Sequence, residues 1–563
     1  MIFKKPFFLA LCLNAIFFLL YLAFGRIQHG SLDDYFMSSV LTGAYGGEYD
    51  VHMYFVNSAY GYFLKPFYWL FPKVGWYFIF ELLGTFAAFT TYTYVLIKKM
   101  GLRYGVPLSL LLLASFTPDF YFQLSFTQCA TSYTAAGLLL LFLGASEDKK
   151  GFLALGGLFL VAGNVMRHGG FLLGMPYLVL LLIVLWRTKK LFSKKLFITL
   201  ILVFAAIYGL RMYDRSLFSE GDYKYYAAYQ PVRSYFGDGE FYDRESTYDE
   251  LEERGMSGPD FYLLKSWMFY DTDVFAIDSL KKIIQVSQNN LYTPNLLRMP
   301  VTFFLAVSKA LTRCNGWCWA IFCLILMLMR SKKSNLYPWF SLIVIAVSIG
   351  YLLLVNRLVY HVESGVWLYA AVCSIVFMSL DLFWQNAILQ KWMRFMPIIL
   401  CVFAIFFACF AMTDQFIVKN KKNLIETAHI PVNWQQFLNY AENHVDDVFL
   451  LSFSSYKTLG SFKNPPYLAI RRGSWQNIFS WGYWNIHLPS MKQEFLKRGV
   501  TNPIKDIVHD NVYLIEDYNT PSLCAFYEDH YHQKIKADTV KVFVDLMLLK
   551  YRYVNDLDDA GRK

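Results

Sequence analysis

The chain alternates long apolar blocks with short polar punctuation. Runs at 7–24, 74–97, 104–118, 128–145, 152–166, 170–186, 196–213, 315–329, 337–355, 364–380 and 396–412 are rich in Leu, Ile, Val, Phe and Ala. Runs of this kind predict helices that cross a bilayer, where the backbone must satisfy its own hydrogen bonds. The expected fold is an α-helical polytopic membrane protein of about 11 transmembrane helices. The blocks at 104–118 and 152–166 are short, and losing either would invert the topology of everything after it.

Three segments break the pattern and exceed ordinary connection length. Residues 25–73 are rich in Tyr, Phe and Gly, residues 214–296 carry 15 acids against eight bases, and residues 413–563 form a tail. The expected division is a membrane domain over 1–412, with large loops at 25–73 and 214–296, and a small α/β domain over 413–563. In the tail, Val432–Val445 has helical spacing, whereas Asp447–Ser452, Asn511–Ile515 and Val540–Val544 alternate or run apolar as strands do. The Trp-, Gly- and Pro-rich stretch 465–489 reads as a large irregular loop. Tyr248–Arg254 reads as helical, and 297–313 as an amphipathic helix lying on the membrane.

Basic residues orient the spans. One set of short loops holds 17 cations, including Lys98, Lys99, Arg103, Lys149, Lys195, Arg330 and Lys391, against only Glu147, Asp148 and Asp381. The opposite short turns hold little beyond Arg167 and Arg357. The positive-inside rule places the first set and the N-terminus in the cytoplasm and, with an odd number of spans, the C-terminus outside. A bacterial inner membrane is the expected location. Residues 1–25 carry a weak signal-peptide pattern ending Ala23-Phe24-Gly25 and are read as an uncleaved first span.

Composition agrees with this picture, because 56% of the 563 residues are apolar and only 17% charged, outside the soluble norm. The net charge of +10 is a topology signal, since the tail from 413 balances 18 Lys/Arg against 17 Asp/Glu. A nucleic-acid footprint would require a basic patch on one folded surface, so nucleic acid is rejected as a partner. Eight of the nine cysteines lie in or near spans, which leaves Cys524 without a partner for a disulfide within the tail.

All three long segments fall on the outer face. Cytoplasmic loops of at most about fifteen residues are too short for a dinucleotide fold or a phosphate-cradling loop. Chemistry then belongs outside, where an activated group must arrive attached to a membrane lipid.

Ser31-Leu32-Asp33-Asp34-Tyr35 opens an outer helix with Ser31 near its cap. Carboxylates at a membrane surface are costly unless they serve a site, and one within reach of an alcohol can accept its proton. Adjacent helical residues point about 100° apart, so only one of Asp33 and Asp34 faces a given site. The other caps, orients or binds a cation; simple capping by both is the alternative. Glu48, Asp50 and His52 either line the same cavity or form a solvated turn. Asp119, at the next outer turn, either ends its span or joins Asp33 or Asp34 in holding a divalent cation, Mg or Mn, through oxygen ligands.

Arg167-His168 and Arg357, His361 and Glu363 are nearly the only charges in their outward turns. Cations there would stabilise a departing phosphate, or merely snorkel to the interface. Arg357 and His361 are four apart and are expected on one helix face. Trp475, Trp481 and Trp484, with Tyr483, either stack on sugar rings or pack in a core.

Asp33-Asp34 in the first outer loop, Asp119 in the second, many spans and a C-terminal outer domain together resemble the GT-C superfamily of multi-spanning glycosyltransferases. The resemblance covers the architecture of most of the chain, with Asp33-Asp34 as its motif and Asp119 and Arg357 as looser matches. It implies inverting transfer of a sugar from a polyprenyl-phosphate donor to a hydroxyl of a glycan, lipid or protein, with Asp33 or Asp34 as base. Similar enzymes include protein mannosyltransferases, aminoarabinose transferases and surface-polysaccharide glucosyltransferases. The tail has Ser480-Trp481-Gly482-Tyr483-Trp484 in place of a Trp-Trp-Asp signature, which favours single-sugar transfer. Two other classes fit the same pattern. A polysaccharide polymerase or ligase predicts essential bases in 214–296; a transporter or flippase predicts charges deep in spans, where Glu81 is the main case. A structural or receptor role is the bland alternative.

Overall fold

The computed structural model describes residues 4–24, 27–190, 193–238, 244–289, 299–329, 332–355, 357–379, 394–413, 430–516 and 521–554. Arg330, Asp381 and Lys391, counted above for orientation, lie outside them. The membrane domain begins with α1 (Lys4–Phe24), the short strand β1 (Gln28–His29), α2 (Leu32–Leu41), α3 (Ser58–Leu70) and α4 (Trp76–Tyr121). Strand β2 (Gln123–Leu124) leads into α5 (Phe126–Glu147), α6 (Lys150–Met166), α7 (His168–Leu173), α8 (Met175–Arg187) and α9 (Lys194–Leu217). The second polar segment is itself helical: α10 (Tyr223–Asp238), α11 (Arg244–Glu253), α12 (Gly258–Lys265) and α13 (Ile277–Asn289). Then come α14 (Met299–Thr312), α15 (Asn315–Leu328), α16 (Lys332–Leu354), α17 (Tyr360–Ser374) and α18 (Met396–Thr413).

The apolar blocks of the sequence fall on these helices, except that 170–186 is divided between α7 and α8 and 364–380 runs past the end of α17. Among the described residues, six helices are long and apolar enough to cross a membrane, or seven if α14 and α15, bent by 86°, form one span. Helices α6, α8 and α18 are shorter but apolar.

The longest element, α4, doubles back. Gly101 adopts φ 68° and ψ 176°, and beyond it Phe120 and Tyr121 pack on Phe89 at 5.5 and 5.8 Å. In a straight helix those residues would stand about 45 Å apart at 1.5 Å per residue. Gly105 sits directly on the backbone of Ile97, where a Cβ would come within 2.6 Å of its Cα. The two arms correspond to the predicted blocks 74–97 and 104–118. At the tip of this hairpin, Lys98 pairs with Glu147, which Lys149 also reaches at 2.8 Å, while Lys195 pairs with Asp148 at 2.5 Å. Basic turns assigned to one face thus meet at one end of the bundle.

The tail is an α/β domain: α19 (Val432–Glu442), β3 (Val448–Leu451), α20 (Phe453–Leu459), β4 (Ile478–Ser480), α21 (Pro489–Lys497), β5 (Val512–Glu516), α22 (Pro521–Tyr531), β6 (Ile535–Phe543) and β7 (Leu546–Tyr553). Its five strands run in the order β4-β3-β5-β7-β6. Strand β3 is parallel to β4 and β5, and β7 is antiparallel to β5 and β6. The expected helix and three strands are present. The stretch 465–489 is not wholly irregular, because Ile478–Ser480 supplies β4, and Trp475, Trp481 and Trp484 are buried in core and not offered as stacking surfaces.

This domain is sewn to both outer segments of the membrane domain. Trp475 N–H donates to Ala44 O at 2.8 Å and Gly473 N–H to Gly43 O at 2.9 Å, while Tyr270 OH donates to Ser480 O at 2.6 Å. The segments 25–73 and 214–296 are therefore both joined to the C-terminal domain.

Candidate functional site

Helix α2 starts where the sequence pattern places it. Ser31 is its N-cap, accepting from Asp34 N–H at 3.3 Å and donating through Oγ to Asp34 Oδ2 at 2.7 Å. The segment before it is pinned by the parallel pair β1–β2, in which Gln28 faces Gln123 and His29 faces Leu124. The two backbones close so tightly after it that a Cβ on Gly30 would lie 2.2 Å from Gln123 O. Only glycine permits that approach, and it draws α2 against the start of α5.

The paired aspartates diverge as adjacent helical positions must. Asp34 is fully buried, and its Oδ1 accepts from Tyr77 OH at 2.9 Å and Phe126 N–H at 3.1 Å. Burial pushes its carboxyl up to about 7, opposed by the hydrogen bonds from Ser31, Tyr77 and Phe126. Asp33 is half-buried and accepts from Tyr483 OH of the C-terminal domain at 2.8 Å. It lies in the first turn of α2, where the helix macrodipole favours negative charge.

The N-terminus of α5 organises the remaining groups. Ser125 and Gln128 form a reciprocal capping box. Three consecutive residues then find partners: Phe126 N–H donates to Asp34, Thr127 accepts from Arg167, and Gln128 Nε2 donates to the Asp119 backbone O at 2.8 Å. The Arg167 guanidinium also covers the Phe126 ring at 4.9 Å and lies within electrostatic reach of His361. His168 pairs with Asn164 at 2.8 Å. Asp119 accepts from Asn315 Nδ2 at 2.8 Å and from Tyr360 OH. Arg313 stacks over the Tyr360 ring at 4.2 Å and approaches Glu363 at 3.4 Å.

Two expectations need correction. Arg357 and His361 do not share a helix face. Arg357 N–H bonds back to Leu352 O at 2.8 Å, Val359 N–H turns back to Arg357 O at 2.9 Å, and α17 begins only at Tyr360. Arg357 is exposed there. Of Glu48, Asp50 and His52, Glu48 is exposed, whereas Asp50 and His52 make a junction with α10. Asp50 binds His52 Nδ1 at 2.7 Å and Tyr223 OH at 2.6 Å, and the His52 ring stacks on Tyr223 at 3.6 Å.

Among the described residues, no group of three or more His, Cys, Asp or Glu gathers as a metal site. Asp34 and Asp119 already accept from protein donors and do not make the oxygen-rich set that Mg or Mn takes.

Sequence reasoning missed Tyr77, Asn315, Tyr360 and the roles of Tyr483 and Arg313. The Ser125-x-x-Gln128 spacing was the available signal, since a capping box marks a helix start rich in unpaired N–H groups. Glu81 lies one turn beyond Tyr77 on the same face of α4; it is buried, its carboxyl oxygens meet no hydrogen-bond geometry among the described residues, and it lies within electrostatic reach of Asp34 and Tyr77. Compared with known protein families, curated proteins and solved structures, the chain finds no match.

Proposed function

We propose that this protein is an integral-membrane glycosyltransferase with eleven spans, its N-terminus in the cytoplasm and its outer segments on the extracytoplasmic face. It would take a sugar from a polyprenyl-phosphate donor and pass it to an acceptor hydroxyl, with Asp33 as base. The observation carrying this reading is the start of α5, where three successive residues gather Asp34, Arg167 and Asp119 beside the Asp33 helix.

In this mechanism the acceptor O–H gives its proton to Asp33, and the freed oxygen attacks the anomeric carbon from the face opposite the phosphate. The bond from that carbon to the phosphate oxygen breaks, with inversion, and the phosphate leaves carrying the electron pair. Arg167 supplies positive charge for the departing group, with Arg357 and His361 on the same outward side. Asp34 touches no reacting atom; it holds α2 against α4 and α5.

Buried Glu81, inside a candidate span, favours a second reading, a transporter, because ionisable groups inside spans commonly mark transport paths. The polymerase or ligase reading has less support. Arg233, the buried base of the second outer segment, is spent on Gln230 at 3.0 Å and on the Trp267 ring at 5.2 Å. Proteoliposomes loaded with radiolabelled polyprenyl-phosphate sugars separate the first two readings. Transfer releases polyprenyl phosphate and moves label to an acceptor. Label that crosses the bilayer still attached to its lipid, with every donor chemically unaltered, would overturn the transferase.

A further inference from the structure

The C-terminal domain also touches the start of α4, through a loop that precedes Tyr483 by about fifteen residues. Val74 and Leu468 form an antiparallel bridge, Gly75 N–H donates to Tyr467 O at 2.8 Å, and Ala469 N–H donates to Lys73 O at 3.0 Å. A Cβ on Gly75 would lie 2.2 Å from Pro466 O, so the two chains are in backbone contact. The next residue, Trp76, begins α4, whose first arm is a candidate span. A loop joined to the first residues of a span must lie at that span's water–lipid boundary.

The segments that meet at this junction expose large apolar side chains. Trp69 is 83% exposed, Leu70 59% and Phe71 58% at the end of α3, and Tyr467 and Leu468 are 42% and 43% exposed on the joined loop. A patch of this kind marks an interaction surface, and aromatic side chains prefer the headgroup layer. Lys65 and Lys73 are exposed on the same stretch, which complements anionic headgroups.

We propose that the C-terminal domain is seated in the outer lipid headgroup layer through Tyr467 and Leu468, beside the end of α3, on an anionic lipid surface. The domain is then a partly submerged body, and its membrane contact holds Tyr483 at a fixed height over Asp33. The inference rests on the membrane placement of α4 and not on the transferase reading.

Nitroxide labels on Leu468→Cys and, as a control, on Val540→Cys of the exposed edge strand β6 test it in the full chain. The chain would be placed in nanodiscs of phosphatidylcholine and phosphatidylglycerol, with the signal of the native cysteines subtracted. The ratio of oxygen to water-soluble nickel collisions should be at least about threefold higher at 468 than at 540, as for a headgroup-buried site. Trp69→Cys should match 468. Lys65→Gln with Lys73→Gln should lower the 468 ratio in these discs and leave it unchanged in pure phosphatidylcholine. Equal, water-like ratios at 468 and 540 would overturn the seat. A 468 ratio indifferent to both phosphatidylglycerol and the lysines would overturn its anionic preference.

Discussion

Replacing Asp34 by Asn should make the protein more resistant to heat at neutral and alkaline pH. The side chain is fully buried, and burial raises its carboxyl from 3.8 to about 7. A difference of roughly three units corresponds to about 4 kcal/mol between the two protonation states. Between about pH 4 and pH 7 the folded state holds a proton here that the unfolded state has released, so stability falls as pH rises through that window and is level above it. Asn is neutral throughout and still accepts from Tyr77 OH and Phe126 N–H, while its amide can donate to Ser31 Oγ. Rearranging that one contact costs about 1 kcal/mol, independent of pH. Melting temperatures in detergent, followed from about pH 5 to pH 8, should therefore diverge, with Asp34→Asn gaining several degrees over the parent by the upper end. Parallel curves for the two proteins would refute the claim that Asp34 is a buried, reluctantly ionised group.

Three further outcomes follow from the same geometry. Gly30→Ala puts a methyl carbon against Gln123 O, so β1 and β2 must part; a loss of about 2 kcal/mol or more should show as a lower melting temperature, and an unchanged one would contradict the tight pairing. Tyr483→Phe removes the hydroxyl that donates to Asp33, a bond to a charged group worth about 1.5–3 kcal/mol; kcat should fall with donor KM little changed, whereas a KM effect alone would argue that Tyr483 binds donor. Arg167→Gln removes the charge held over Phe126; it should raise donor KM and lower kcat, and unaltered kinetics would remove Arg167 from the phosphate site.

Local order was readable from residue pattern, and long-range order was not. The apolar blocks, the Ser31 cap and the main strands of the tail follow from periodicity and capping chemistry that act over a few residues. The split between Asp33 and Asp34 was half readable: helical geometry required them to diverge, but nothing nearby said which would be buried. That choice is made by Tyr77, by Phe126 and by Tyr483, which lies 450 residues from Asp33. Asp119 is closed off in the same way by Asn315 and Tyr360, 196 and 241 residues away. The spacing of Arg357 and His361 misled because i,i+4 has meaning only inside a helix, and Arg357 lies between α16 and α17, in a stretch that turns back on itself at Val359.

The most direct test sets Asp33→Asn beside Asp34→Asn in reconstituted membranes, measuring release of polyprenyl phosphate from a lipid-linked sugar in the presence of acceptor. With both variants inserted and folded, Asp33→Asn should lose transfer by about a thousandfold or more, as expected for a missing base, while Asp34→Asn keeps most of it. Full transfer by Asp33→Asn would contradict the assignment of the base and the chemistry built on it.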